Sequence, residues 1–156
     1  PAHWNVQGFL GKGDEANLLA MKFNTDMLCV CEHWLSSDEL MEVGLPDFKL
    51  ISAFCRSSGQ RGGTAIFLRS RWLGEEMTFL TELSSQYICE VAAVFIKEIN
   101  LVCIEIYRVP DGQNFDNFIE HMYELLSNFM NSNKNKASIM LCGDFNIDIL
   151  VNDSRK

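Results

Sequence analysis

"YICEVAAVFIKEINLVCIEIY", residues 87–107, holds two apolar runs of strand length separated by the polar "KEIN" at 97–100. A continuous apolar run bounded by turn residues suits a strand covered on both faces. A connection this short makes the two runs an antiparallel hairpin. Upstream, "FKLISAFCR" (48–56) and "GTAIFLRS" (63–70) repeat the arrangement across the turn-rich "SSGQRGG".

Helical patterns flank these hairpins. In "DEANLLAMKF", residues 14–23, Ala16, Leu19, Ala20 and Phe23 stand at i, i+3, i+4 and i+7 of an amphipathic helix. "FDNFIEHMYELLSNFM", residues 115–130, puts Phe115, Phe118, Ile119, Met122, Leu126 and Phe129 on one helical face. Ser36 and Glu39 have capping-box spacing, which starts a short helix there. "DMLCVCEHWL" (26–35) and "ASIMLCGDFNID" (137–148) supply two more strands. The order helix, strand, hairpins, helix, strand predicts an α/β (α+β) fold, its sheets mixing hairpin pairs with helix-covered strands.

The totals bound the function. The 156 residues, 47% of them hydrophobic, make one globular domain or a piece of one. No apolar run approaches the ~18–20 residues of a membrane helix, so no membrane partner is expected. No signal-peptide pattern opens the chain, which begins with Pro1. A formal net charge of -8 argues against coating nucleic acid with a basic surface but leaves open a metal-centred, acidic site. Six cysteines sit inside apolar stretches without a CxxC pair. They read as core hydrophobes of an intracellular, reducing compartment rather than disulfides or zinc ligands.

Candidate chemistry gathers at strand ends, where ligand sites of such sheets lie. "MLCGDFNID" (140–148) is an apolar run that stops at Gly143 and then sets out Asp144, Asn146 and Asp148, which share a face if the chain stays extended. Glu32 ends another buried strand, and Tyr107 ends the hairpin strand 101–106. One or two carboxylates with open water positions suit Mg²⁺, which takes its remaining ligands from water and substrate phosphate. A second carboxylate orients or deprotonates an attacking water. Asn and Tyr add neutral hydrogen bonds to phosphate oxygens.

"HWNVQGFLGK" with Asn5, "CVCEHWL" with Glu32, "RGGTAIFLRS", "EVAAVFI…LVCIEIYRVP" with Tyr107 and "IMLCGDFNIDIL" with Asp144 and Asn146 come in a telling order. Together they resemble the endonuclease/exonuclease/phosphatase family, most closely the endonuclease domains of non-LTR retrotransposons. The resemblance implies a four-layer sandwich of two packed mixed β-sheets flanked by helices. It implies Glu32 and Asn5 as metal ligands, and Glu32, Tyr107, Asp144 and Asn146 as catalytic residues. Asn5, Tyr107 and Asn146 would contact phosphate. The implied cofactor is Mg²⁺, with Mn²⁺ as its substitute, and the implied substrate is DNA, nicked in the nucleus. A fused reverse transcriptase is the implied partner domain.

Departures from the family pattern are also legible. The sequence ends ten residues after Asn146, before the family's C-terminal Ser/Thr-Asp-His motif, and none of its three histidines follows an Asp. The expectation is a domain over 1–156 truncated before that motif. The alternative function is a catalytically inactive remnant or interaction module of the same fold. Asp111 stands where many members carry Asn or Pro. His33 neighbours Glu32 and should face the other way, a structural residue; His121 reads as helix surface. Arg61, Arg69, Arg71 and Arg108 are candidates for contact with a DNA backbone, but scattered arginines read first as solvated surface.

Overall fold

A computed structural model describes residues 1–57, 61–110, 114–133 and 136–148; Asp111 and the chain's end lie outside them. Its elements are β1 (Ala2–Asn5), α1 (Gly13–Lys22), β2 (Met27–Cys31), α2 (Ser37–Met41), β3 (Phe48–Phe54), β4 (Thr64–Arg69), β5 (Gly74–Glu76), α3 (Thr78–Thr81), β6 (Cys89–Ile96), β7 (Leu101–Arg108), α4 (Phe115–Ser132) and β8 (Ser138–Asp144). They form two four-stranded mixed sheets, ordered β1-β2-β4-β3 and β5-β6-β7-β8.

Three apolar clusters give the layer order. Phe9, Ala16, Leu40 and Leu45 pack with Leu28, Val30 and Phe67 on the outside of the first sheet. Met27, Cys29, Ile66, Leu68, Ala92, Val94 and Cys103 pack between the sheets. Leu80, Phe118, Leu125 and Phe129 cover Val91, Ile104 and Ile106 of the second sheet. Helices therefore lie outside both sheets, the four-layer sandwich expected. Both hairpins form, β3 with β4 and β6 with β7. The Ser36–Glu39 capping box forms as well.

Each sheet contains one parallel pair, and these two pairs position the site. In the first, β1 beside β2 sets Asn5 against Cys31, the residue before Glu32. In the second, β7 beside β8 sets Tyr107 against Asp144.

Four expectations need correction. Phe23 is 60% exposed because α1 ends at Lys22, and the chain turns away through Asn24 at positive φ; the apolar period outruns the helix. On α4 the buried stripe is Phe118, Leu125 and Phe129, with the expected Met122 and Leu126 packed against it, while Ile119 is 47% exposed and Phe115 is also exposed. A stripe centred on Leu125 leaves those two on its shoulder. The run at 138–144 is not doubly covered: β8 is the last strand of its sheet, and Ile139 and Leu141 are exposed. Tyr107 lies within β7, which runs to Arg108. The sequence reading also assigned nothing to β5 and α3.

Candidate active site

Asn5, at the end of β1, links the two sheets. Its Nδ2 donates to Glu32 Oε1 at 2.9 Å and to Asp144 Oδ2 at 2.8 Å. Two carboxylates remote in sequence, one from each sheet, therefore meet across one amide. Asn5 Oδ1 is buried and has no hydrogen-bond partner among the described residues. A buried acceptor without a donor is costly, and a cation beside it removes that cost. The donor set is oxygen only, which suits a hard divalent cation. The residues present therefore fit Mg²⁺ or a similar ion.

Glu32 is carried on a constrained turn. Glu32 and Trp34 both have positive φ, 57° and 60°, uncommon for non-glycine residues. Backbone bonds hold this segment from both sides: Glu32 N to Gly63 O and Trp34 N to Gly62 O, with Gly8 N to Glu32 O and Phe9 N to His33 O. Conformations of this kind persist where their surroundings over-determine them, commonly at functional sites. Between the two strained residues, His33 is fully buried. Its Nδ1 accepts from Leu35 N, and Nε2 lies 3.0 Å from Phe54 O. Burial lowers its pKa, as suits a neutral structural imidazole.

Tyr107 is buried beside Glu32. Burial first, and then the Glu32 carboxylate, push its phenol far above the ordinary range. It is thus a neutral O–H donor at any physiological pH.

Asn146 enters differently from the expectation. The extended run ends at Asp144 and Asn146 has a φ of 48°, so Asp144, Asn146 and Asp148 do not share a strand face. Asn146 holds Asp144 through its backbone, N to Oδ1 at 3.1 Å, while its side-chain Nδ2 donates to Arg108 O at 2.6 Å. Arg108 returns a bond from Nη1 to Asn146 O at 2.9 Å. Arg108 is buried, so it is part of the scaffold and not solvated surface. Arg69 and Arg71 pair with Asp26.

Further residues join the site that the sequence reading passed over. Glu90, fully buried, accepts from Arg56 Nε and from Gly63 N at 2.6 Å, fixing the loop beside Glu32. Glu105, also fully buried, lies 3.0 Å from His3 Nε2. Burial lifts Glu105 to about 8 against the opposing pull of His3. A lone acid inside each apolar run, "YICEV" and "VCIEIY", was the available signal. Trp34 is 37% exposed and donates from Nε1 to Glu32 Oε2 at 3.3 Å. It lines an open cleft of about 470 Å³ with Gly8, Phe9, Leu10, Arg56 and Arg61. The Arg61 guanidinium lies 5.6 Å from the Trp34 ring centroid.

Two mixed sheets flanked by helices, with an acidic, oxygen-lined mouth between them, define a four-layer α/β sandwich. The chain belongs to the Endonuclease/Exonuclease/phosphatase family, which it matches over residues 2–152. Enzymes of this family are metal-dependent phosphoesterases and nucleases.

Solved structures agree on the fold. A 3'-5' exonuclease (NExo) from Neisseria meningitidis is 20% identical with a TM-score of 0.65, over 93% of this chain and 57% of that one. The endonuclease domain of TRAS1, a telomere-specific non-LTR retrotransposon, is 14% identical with a TM-score of 0.62, over 94% and 58%. D. rerio TDP2 complexed with a single-strand DNA product is 14% identical with a TM-score of 0.61, over 94% and 60%. The chain thus spans less than two thirds of each. No protein of curated function matches the sequence. Among the described residues, no helix is long and apolar enough to cross a membrane.

Proposed function

We propose that this chain carries the metal-binding half of a phosphodiesterase site and acts on DNA as an endonuclease, in the manner of a retrotransposon nicking domain. The observation that carries it is the Asn5 amide held between Glu32 and Asp144 at 2.9 and 2.8 Å. Glu32 and Asn5 Oδ1 would hold a Mg²⁺ ion, which supplies charge compensation to the phosphate and leaving oxygen when bound. Asp144 accepts a hydrogen bond from the attacking water and takes up its proton. Asn146 fixes Asp144 through its backbone N–H. Tyr107 keeps its proton and donates a hydrogen bond to a phosphate oxygen.

The substrate reading rests on the cleft beside Glu32. An exposed indole with a guanidinium over it is a stacking platform with a cation for the backbone. The opposing net charge of -8 confines attraction to that local patch.

A second reading, a non-catalytic module of the same fold, draws on the histidines. His3 pairs with Glu105, His33 is buried in the scaffold, and His121 binds Asn117 O on α4. None stands among Glu32, Asn5 and Asp144 to stabilise the transition state.

Plasmid nicking separates the readings. The enzyme reading expects Mg²⁺-dependent relaxation of supercoiled DNA, stopped by chelation and lost in Glu32→Ala. No nicking above a Glu32→Ala control would leave the binding module. Nicking that survives Glu32→Ala would remove the site assignment itself.

A further inference from the structure

Cys29 on β2, Cys103 on β7 and Cys142 on β8 are scattered in sequence and converge between the sheets, their sulfurs all within 4.8 Å of one another. Cys29 Sγ lies 3.8 Å from Cys103 Sγ, and Cys103 Sγ lies 3.7 Å from Cys142 Sγ. All six cysteines of the chain are free thiols. Four thiolates held tetrahedrally at a Zn–S distance of about 2.3 Å are spaced about 3.8 Å apart. Two of the three edges here match that spacing without rearrangement.

The surroundings also differ from those of ordinary core thiols. Cys142 Sγ lies 3.1 Å from Glu105 Oε2, and Glu105 Oε1 faces His3 Nε2 at 3.0 Å. Glu105 is fully buried. A carboxyl group held against Cys142 at the side of a buried thiol cluster is an expensive filling where alanine or valine would serve. A divalent cation turns the same groups into a satisfied set. Cys142 is only half-buried, whereas Cys29 and Cys103 are buried.

The geometry points to a structural Zn²⁺ site formed by Cys29, Cys103 and Cys142, with the Glu105 carboxylate beside its fourth position. Binding releases the three thiol protons to solvent and leaves three thiolates on the metal. The ion ties β2 of one sheet to β7 and β8 of the other. It therefore staples the strand that carries Asp144 to the rest of the sandwich. The site is independent of the oxygen-lined mouth, because soft thiolates select Zn²⁺ and hard carboxylates select Mg²⁺.

The full chain, purified with a reductant and no chelator, is titrated with Co²⁺ as a spectroscopic probe. One equivalent should bind with the intense charge-transfer absorption of thiolate–cobalt bonds. Zn²⁺ should displace it stoichiometrically, and excess Mg²⁺ should not. Cys142→Ser should weaken Co²⁺ binding at least ~100-fold, and Glu105→Gln about 10- to 100-fold. Asp144→Ala should leave it unchanged. Should Cys29→Ser or Cys103→Ser fail to fold, Cys142→Ser at the half-buried position still decides, with far-ultraviolet circular dichroism confirming its fold. Absent charge-transfer absorption, equal binding by Cys142→Ser, or a Cys29–Cys103 disulfide in place of metal capture would each overturn the site. Loss of nicking with intact thiolate–cobalt absorption would instead count against the phosphodiesterase reading alone.

Discussion

The mouth of the sandwich and the layer two residues behind it use the same strands for different chemistry. At the mouth stand Asn5, Tyr107 and Asp144, with Glu32 just past β2, all offering oxygen. Two residues back along β1, β7 and β8 stand His3, Glu105 and Cys142, with Cys31 closing β2. Residues i and i+2 share a strand face, so each strand that aims an oxygen at the mouth aims another polar group beneath it. The mouth is partly open; in the lower layer Cys31 and Glu105 are fully buried, while Cys142 is half-buried and His3 is exposed. Hydration separates the mouth from the thiol cluster deeper still, where Cys29 and Cys103 are fully buried: a hard cation that keeps its waters belongs at the rim, and a soft thiolate site needs no water.

The largest effect that would sharpen this contrast is catalytic. Asp144→Ala should lower Mg²⁺-dependent nicking at least ~1,000-fold, because the group that takes the proton from water is gone. The same change should not lower the melting temperature, since it removes one charge from an acidic cluster. A mutant that unfolds, or one that nicks normally, would break the assignment of the mouth to chemistry and the interior to structure.

Gly143 joins the two layers on β8, and its substitution should disturb both. It has a φ of 138°, and a Cβ there would overlap the Ile106 carbonyl of the neighbouring strand. Gly143→Ala should cost about 3 kcal/mol or more, from backbone strain plus overlap in a packed interior. Urea unfolding measures it. A loss below about 1 kcal/mol would mean β8 shifts freely, and the fixed register of Tyr107 against Asp144 would have to be abandoned.

Much of this was legible in the sequence, and the exceptions have local causes. The hairpins, the capping box and the strand-end acids follow from patterns within a few residues. What escaped depends on partners far along the chain. The thiol triangle needs three strands and the His3–Glu105 pair needs two, and no spacing within one segment encodes them. Asn146 was assigned to the site, but its backbone role required the turn after Asp144. On α4 the period was right, and Phe118, Met122, Leu126 and Phe129 face the core as expected. The stripe is turned toward Leu125 and away from Phe115 and Ile119, because Ile119 and Leu125 are equally apolar and only the facing sheet selects Leu125. Leu125→Ala should therefore cost about 2–4 kcal/mol and Ile119→Ala less than about 1, read from paired thermal melts. Equal losses would return the buried stripe to the one the periodicity suggested.

The smallest effect concerns the cleft outside the mouth, where Trp34 is exposed yet fixed. Its backbone is strained and pinned, its indole N–H is spent on Glu32, and Arg61 covers one face of the ring. A rigid aromatic beside a cation loses little entropy when a base stacks on it, and such a stack contributes about 1–3 kcal/mol. Trp34→Ala should weaken binding of a short single-stranded DNA about 5- to 30-fold, the lower part of that range, because Arg61 must first move aside. Trp34→Phe keeps a stacking face and drops the N–H, so it should retain most of the affinity. Its turnover should fall instead, since Glu32 loses a hydrogen bond that helps to orient it. If Trp34→Phe loses as much affinity as Trp34→Ala, the indole acts through Glu32, and the cleft is scaffold for the mouth rather than a surface for nucleic acid.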